Sequence, residues 1–301
     1  MDEFFQQLGI LFSWGNLATF LNSNFTSALT GALAGAFAGA FAAQRIADRS
    51  QRKRQLIEEI RGVNAATVVA FSLCSTTINF KKQQVVDVAA EYQRSRRAFL
   101  AHQDQIARGT PPASAVFQLR ADFRDLQMPL LPIETLRTQV YEKVTAPSRA
   151  LALVAALAGS IDALIGVMNK RNMLIERFRE LGERNPQLLP LYFGIPYGGG
   201  HLSTEFPDCL EGMQRLTDDI IFFSELLAND VHEHGQKTLD TYRKLEKKTK
   251  LRITTADFSD VRALGLMPDP ANYDDWLKGF KPAAQQAAAP DAQTRAGERE
   301  R

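Results

Sequence analysis

Residues Phe25–Ala43 read FTSALTGALAGAFAGAFAA and contain no charged side chain. At about 1.5 Å per residue, a helix of this length reaches roughly 28 Å, close to the thickness of the bilayer hydrocarbon core. The first Lys or Arg of the chain is Arg45. The sequence therefore predicts one transmembrane helix over 25–43, although Ala and Gly favour insertion less than Leu would.

Two other interpretations of this stretch stay open. Ala40-Phe41-Ala42 resembles a signal-peptidase site, but the N-terminus carries Asp2 and Glu3 where a signal peptide would be basic. A buried helix of a soluble protein is the second alternative.

The charges that flank the stretch predict its orientation. Five basic residues follow it and are opposed only by Asp48: Arg45, Arg49, Arg52, Lys53 and Arg54. The positive-inside rule places the N-terminus outside and the rest of the chain in the cytoplasm, at a plasma or inner membrane. The basic cluster would then lie against anionic headgroups, which makes the lipid bilayer the first expected partner.

Glycines recur every four residues within the stretch, at Gly31, Gly35 and Gly39. On a helix they form a smooth row, and a bulky row lies about 200° away: Phe25, Leu29, Leu33, Phe37 and Phe41. This repeated G-x-x-x-G pattern is typical of helices that pack closely in membranes. It predicts a homo-oligomer, although small residues that contact nothing would give the same pattern.

The rest of the chain divides into three parts. Residues 1–24 are predicted to form an amphipathic segment in the outer interface, with Trp14 at headgroup depth. Residues 44–280 are predicted to form a cytoplasmic domain. Residues 281–301 are rich in Ala, Gln and charge and are predicted to be a disordered tail.

Three long helices are predicted in the cytoplasmic domain, over about 45–108, 147–182 and 207–250. The first follows from the absence of proline before Gly109 and carries a heptad-like apolar seam with polar positions at Asn64 and Lys81. The predicted fold class is therefore mainly α, with an elongated helical bundle after one transmembrane helix. The apolar ranges 63–80 and 151–168 suit bundle cores, with further membrane contact as the alternative.

The segments that connect the long helices also carry structural patterns. Residues 117–123 alternate apolar and polar side chains, which suits a short strand paired with 191–195 or 251–255 as well as it suits a helix. Pro132 is expected to open a short helix. Residues 256–280, with several aromatic side chains, are expected to form a small cap.

Residues suited to catalysis or metal binding are few. Cys74 and Cys209 share no metal-binding spacing and are predicted to be buried thiols. Asp230 and His234 share a helix face, but a zinc site needs three or four ligands, so a solvated surface is favoured. Asp218 or Asp219 is expected to meet Arg171 or Arg177.

Gly198–Gly200 lacks the residues of a phosphate-binding loop. The sequence thus predicts no catalytic residues, no metal and no cofactor, and we expect a protein that is not an enzyme. A site assembled near 184–206 is the catalytic alternative.

The charge balance of 36 Lys+Arg against 34 Asp+Glu gives no whole-chain attraction to nucleic acid. The sequence favours a membrane-anchored, self-associating interaction protein with an unidentified cytoplasmic protein partner. The alternative is a membrane-perturbing effector or small channel assembled through the glycine-rich span and controlled by the cytoplasmic domain.

Overall fold

The computed structural model of the chain describes residues 24–109, 116–182 and 184–280. These residues are mainly helical, which confirms the mainly α part of the predicted fold class. The segment predicted over 1–24, apart from Asn24, and the tail predicted over 281–301 lie outside the described residues. The chain divides into two compact units, residues 1–57 and 58–301, which are described separately below.

The first unit contains the beginning of a long helix, α1, which runs from Asn24 to Phe80. Residues 25–43, predicted to span a membrane, are helical throughout. Alanine is the best helix former, and no proline interrupts this part of the chain, so the helix continues through the glycines.

The second unit continues the same helix. A π-helical turn, Lys81–Val85, joins α1 to α2, Val86–Ala107. The turn has a structural reason, because Phe80 and Val85 are both buried although they are five residues apart. In an uninterrupted α-helix these two positions would lie about 140° apart, whereas a π-helical turn brings residues five apart into register.

Two further long helices complete the bundle. α4, Ser148–Leu181, was predicted over 147–182, and α6, Glu205–Leu245, was predicted over 207–250. The shorter elements are α3, Ile133–Thr138, with a π-helical turn Gln139–Lys143; α5, Leu188–Phe193; α7, Ser259–Ala263; a 3-10 turn Pro270–Tyr273; and α8, Asp274–Lys278.

The core forms where α4 and α6 pack along each other and against residues 58–80 of α1. Gly235 of α6 lies so close to Val63 that an added Cβ would be 2.5 Å from its Cγ1 atom. Further along, the Cys74 thiol lies 3.7 Å from the Ile221 carbonyl oxygen. Half of the residues in the apolar range 63–80 are buried, so this range packs within the bundle along one side.

Aromatic side chains fill the end of the core near α5. Tyr192 and Phe206 stack with ring centroids 4.7 Å apart, and Phe99 stacks on Phe193 at 5.0 Å. The group, here called the aromatic cluster, also contains Tyr92, Phe117, Phe123 and Phe178.

The short strand that the sequence allowed over 117–123 is not formed. The segment is extended, with its apolar side chains half-buried and its polar ones exposed, so the alternation reports the correct faces. However, Leu191–Phe193 belongs to α5, and residues 251–255 are not paired with it. Among the described residues the one β-bridge joins Tyr197 to His201. Side chains of helices, rather than a strand, bind the backbone of this segment.

The cap predicted over 256–280 packs on α6 through its aromatic residues. The Tyr273 ring stacks on Phe222 at 3.8 Å, and Trp276 lies 5.1 Å from Phe223. The Tyr273 hydroxyl donates a hydrogen bond to Asp219, and Lys81 pairs with Asp218. The expectation that one of these aspartates meets Arg171 or Arg177 is therefore wrong.

Candidate membrane-association surface

The surface of α1 is exposed at every position from Gly31 to Ser50. Phe37 and Phe41 are 73% and 63% exposed, and Leu29 and Leu33 are about half exposed. These side chains form the bulky row that the sequence predicted on one side of the helix. An apolar helix surface of this size on a soluble monomer is unusual and marks a site of contact with membrane or protein.

The three glycines of the predicted association row are equally uncovered. A Cβ atom added at Gly31, Gly35 or Gly39 would meet no atom within 4 Å outside its own helix. The backbone is therefore open to close approach along this side, which is the geometry that small residues provide in packed membrane helices.

The predicted basic flank follows directly. Arg45, Arg52 and Arg54 are exposed, as is Arg49, while Lys53 is half-buried. The Arg45 guanidinium lies 5.4 Å above the centre of the Phe41 ring, a cation–π arrangement that links the last phenylalanine of the row to the first cation.

In the described part of the chain, two helices are long and apolar enough to cross a membrane, which by length and composition alone is weak evidence of membrane contact. The first lies between Gly31 and Ala107, and its apolar window is half buried. Residues 31–50 are all exposed, so this half-buried apolar segment must extend beyond Ser50. It therefore includes part of the helix that packs in the bundle. The second is α4, whose apolar window is one-third buried.

The acidic and histidine cluster of α6 has internal partners. Arg149 donates two hydrogen bonds to the buried Asp230 carboxylate, at 2.7 Å from Nε and 2.5 Å from Nη2. His234 Nε2 lies 2.8 Å from Glu59 Oε1, and His232 Nδ1 lies 2.8 Å from the Thr254 carbonyl oxygen. The predicted solvated surface is therefore wrong for Asp230, and no metal-binding group occurs in the part of the chain that the structure describes.

The glycine turn closes on itself. Tyr197 and His201 exchange backbone hydrogen bonds at 2.8 and 2.9 Å around Gly198–Gly200, whose φ angles are all positive. Since α6 begins only at Glu205, the turn does not lie at the helix N-terminus, where a phosphate would bind.

Both cysteines are buried, as predicted, and neither forms a disulfide. Burial raises the pKa of the Cys74 thiol to about 12, and burial also raises the pKa of Cys209. Thiols of this kind are poor nucleophiles at neutral pH.

Sequence reasoning missed the side chains that hold the extended segment 117–126, here called the strap. Asn172 of α4 makes two hydrogen bonds to the backbone of Leu126, and Arg179 donates to the Phe123 carbonyl oxygen. Asn64 of α1 does the same for a second extended segment, accepting from Thr254 N and donating to the Arg252 carbonyl oxygen at 2.8 and 3.0 Å. One indication of these contacts is visible in the sequence, which is the polar Asn64 in the apolar seam of the first long helix.

Arg171 is the largest fully buried side chain of the described residues. Its Nη1 donates to the Arg124 carbonyl oxygen of the strap at 2.5 Å and to Asn172 Oδ1 at 3.0 Å, while Nε has no hydrogen-bond partner. Burial lowers the pKa of this guanidinium. Arg171 therefore binds the strap to α4, although burial of its charge is unfavourable.

Comparison with protein-family models, with curated proteins and with solved structures gives no match for this chain. The function of the chain is therefore inferred from the exposed surface of α1 and from the contacts within residues 58–280.

Proposed function

We propose that this chain is a single-pass membrane protein that self-associates through its glycine row and uses residues 58–280 as a helical interaction module. The proposal is supported above all by the uncharged helix from Gly31 to Gln44, in which every residue is exposed. In water such a surface would drive aggregation, whereas in a bilayer an all-round apolar helix is the stable state.

The two sides of the helix have different contacts in the membrane. The phenylalanine and leucine row faces lipid, and the glycine row lets a second copy approach closely. The basic cluster after Ala43 favours a cytoplasmic location for everything beyond Arg45.

We propose an interaction role rather than a catalytic one for the second unit. In the acidic and histidine cluster of α6, Asp230 pairs with Arg149 of α4, and His234 lies against Glu59 of α1, so both side chains join helices. Its thiols are buried and have raised pKa values.

Membrane insertion is tested by extraction of cell membranes with alkaline carbonate. The full chain should stay with the membrane, and Leu33→Arg near the middle of the span should shift it toward the soluble or aggregated fraction. A central Arg costs about 3 kcal/mol in helix insertion. Ile46→Arg is the matched control, because Ile46 is 72% exposed and lies beyond the span. A full chain released by carbonate would contradict the proposal.

Self-association is tested by the mass of the detergent-solubilised protein. Gly35→Leu should convert the oligomer into a smaller species, because its side chain fills the row where the second helix packs. Gly159→Leu is the control, since Gly159 is also a helical glycine with nothing within 4 Å but lies on α4. An unchanged mass for Gly35→Leu would remove the glycine row from the proposal.

A further inference from the structure

The bulky row of α1 leads directly into basic side chains. Phe37, Phe41, Arg45 and Arg49 follow one another at intervals of four residues. Each therefore lies about one turn beyond the last, displaced by only about 40° around the helix. The cation–π contact between Arg45 and Phe41 shows the two kinds of side chain touching on this side.

Arg52 extends the same side, because eleven residues after Phe41 the helix has turned back to within about 20°. The glycine row continues differently, into Ala43 and Ala47, which are exposed. Ala47 lies about 200° from Arg45. Arg45, Arg49 and Arg52 therefore lie on one side of the helix, whereas the exposed Arg54, about 180° from Arg45, lies with Ala43 and Ala47 on the other.

We propose that the side of α1 formed by Arg45, Arg49 and Arg52, here called the basic face, binds the phosphate-bearing headgroups of anionic phospholipids. The inference rests on the proposed membrane insertion of 25–43 and adds to it a ligand class and a face. Guanidinium groups present paired donors that match phosphate oxygens, and each cation near an anionic surface adds to the attraction.

The distance of each arginine from the end of the span determines how it interacts with the headgroups. Arg45 lies about 3 Å and Arg49 about 9 Å beyond the end of the span along the helix axis. The headgroup layer is about 5–8 Å thick, and arginine side chains extend back toward it. Arg52, about 13 Å out, acts through the field of the surface, which salt screens over about 8–10 Å. Arg45 and Arg49 therefore bind the headgroups directly.

The test uses the full chain reconstituted in vesicles of phosphatidylcholine with a minority of phosphatidylglycerol. Electron paramagnetic resonance of spin-labelled lipids gives the preference of the protein for either headgroup. The wild-type chain should prefer phosphatidylglycerol, and Arg49→Gln should reduce that preference about fivefold, the factor that corresponds to about 1 kcal/mol per basic residue. Arg49→Lys, which keeps the charge, should retain most of it.

The control that isolates the face is the double variant Arg49→Gln, Gln51→Arg. It keeps the net charge but moves the cation about 200° around the helix, and it should not restore the preference. Full restoration, or a wild-type chain with no preference, would overturn the proposal. Resistance to alkaline carbonate is measured on the same vesicles, so failure to insert is recognised separately and overturns the proposed function as well.

Discussion

The side-chain amide of Asn172 binds both backbone groups of Leu126. Its Nδ2 donates to the Leu126 carbonyl oxygen at 2.9 Å, and its Oδ1 accepts the Leu126 N–H at 3.1 Å. An adjacent strand would satisfy the same two groups. A helix side chain thus fixes the strap to α4, and Asn64 performs the same role for Arg252 and Thr254.

Replacement of Asn172 should release the strap. Asn172→Leu removes both hydrogen bonds and leaves backbone groups of Leu126 unsatisfied, at a cost of about 2–3 kcal/mol in the free energy of unfolding. Urea unfolding of the full chain in detergent measures that loss, and hydrogen exchange should rise first in residues 117–126. Asn169→Leu, at an exposed position one turn earlier, is the control. Unchanged exchange in the strap would contradict the role of Asn172.

Arg171 should tolerate an apolar replacement better than a truncation. Arg171→Met keeps the buried volume and loses the hydrogen bond to the Arg124 carbonyl oxygen, but it also removes a desolvated charge. The two effects offset each other, so its free energy of unfolding should stay within about 1 kcal/mol of the wild type. Arg171→Ala leaves a cavity and should cost about 3 kcal/mol or more. Equal losses in the two variants would show that the charge itself stabilises the strap.

Two glycine-to-alanine substitutions should change the free energy of unfolding in opposite directions. Gly235→Ala places a Cβ 2.5 Å from Val63 Cγ1 and 3.2 Å from Ile253 Cγ2, so overpacking should cost about 1–3 kcal/mol. Gly159→Ala meets nothing within 4 Å and should stabilise its helix by about 0.5–1 kcal/mol. Val63→Ala should partly rescue Gly235→Ala, as a double-mutant cycle in urea would show. Additive effects would contradict a direct contact.

Alkaline pH should destabilise the second unit through Cys74. Its pKa rises from 9.0 to about 12 on folding, because burial penalises the thiolate. The folded state therefore holds the proton more tightly, and the stabilisation present below pH 9 is lost as the pH rises toward 12. The slope is about 1.4 kcal/mol per pH unit for one thiol. Between pH 9 and pH 12 the free energy of unfolding should fall less steeply with pH for Cys74→Ala than for the wild type. Equal slopes in the two proteins would contradict the raised pKa of Cys74.

The long helices could be predicted because their causes are local. A proline-free stretch to Gly109 and apolar periodicity in α6 are visible in the sequence, and so is the change of composition at Arg45. The alternation at Phe117–Phe123 also reported which side chains face inward.

The partners of the extended segments could not be predicted, because they are separated from them by large distances in sequence. Asn172 is 46 residues from Leu126, and Asn64 is 190 residues from Thr254. Period-two alternation indicates an extended backbone but not what binds it. Asp219 likewise meets Tyr273, a neutral donor, where charge pairing predicted an arginine.

The π-helical turn at Lys81–Val85 makes one place in this chain tolerant of a change in length. Because the turn accommodates one residue more than an α-helical turn, deletion of the exposed Gln83 would leave Phe80 and Val85 four apart and still on the same side. An insertion there, or a deletion elsewhere along α1, would rotate everything beyond it by about 100° and turn Tyr92 and Phe99 away from the aromatic cluster. Natural variation in the length of this long helix is therefore expected to concentrate at this one turn.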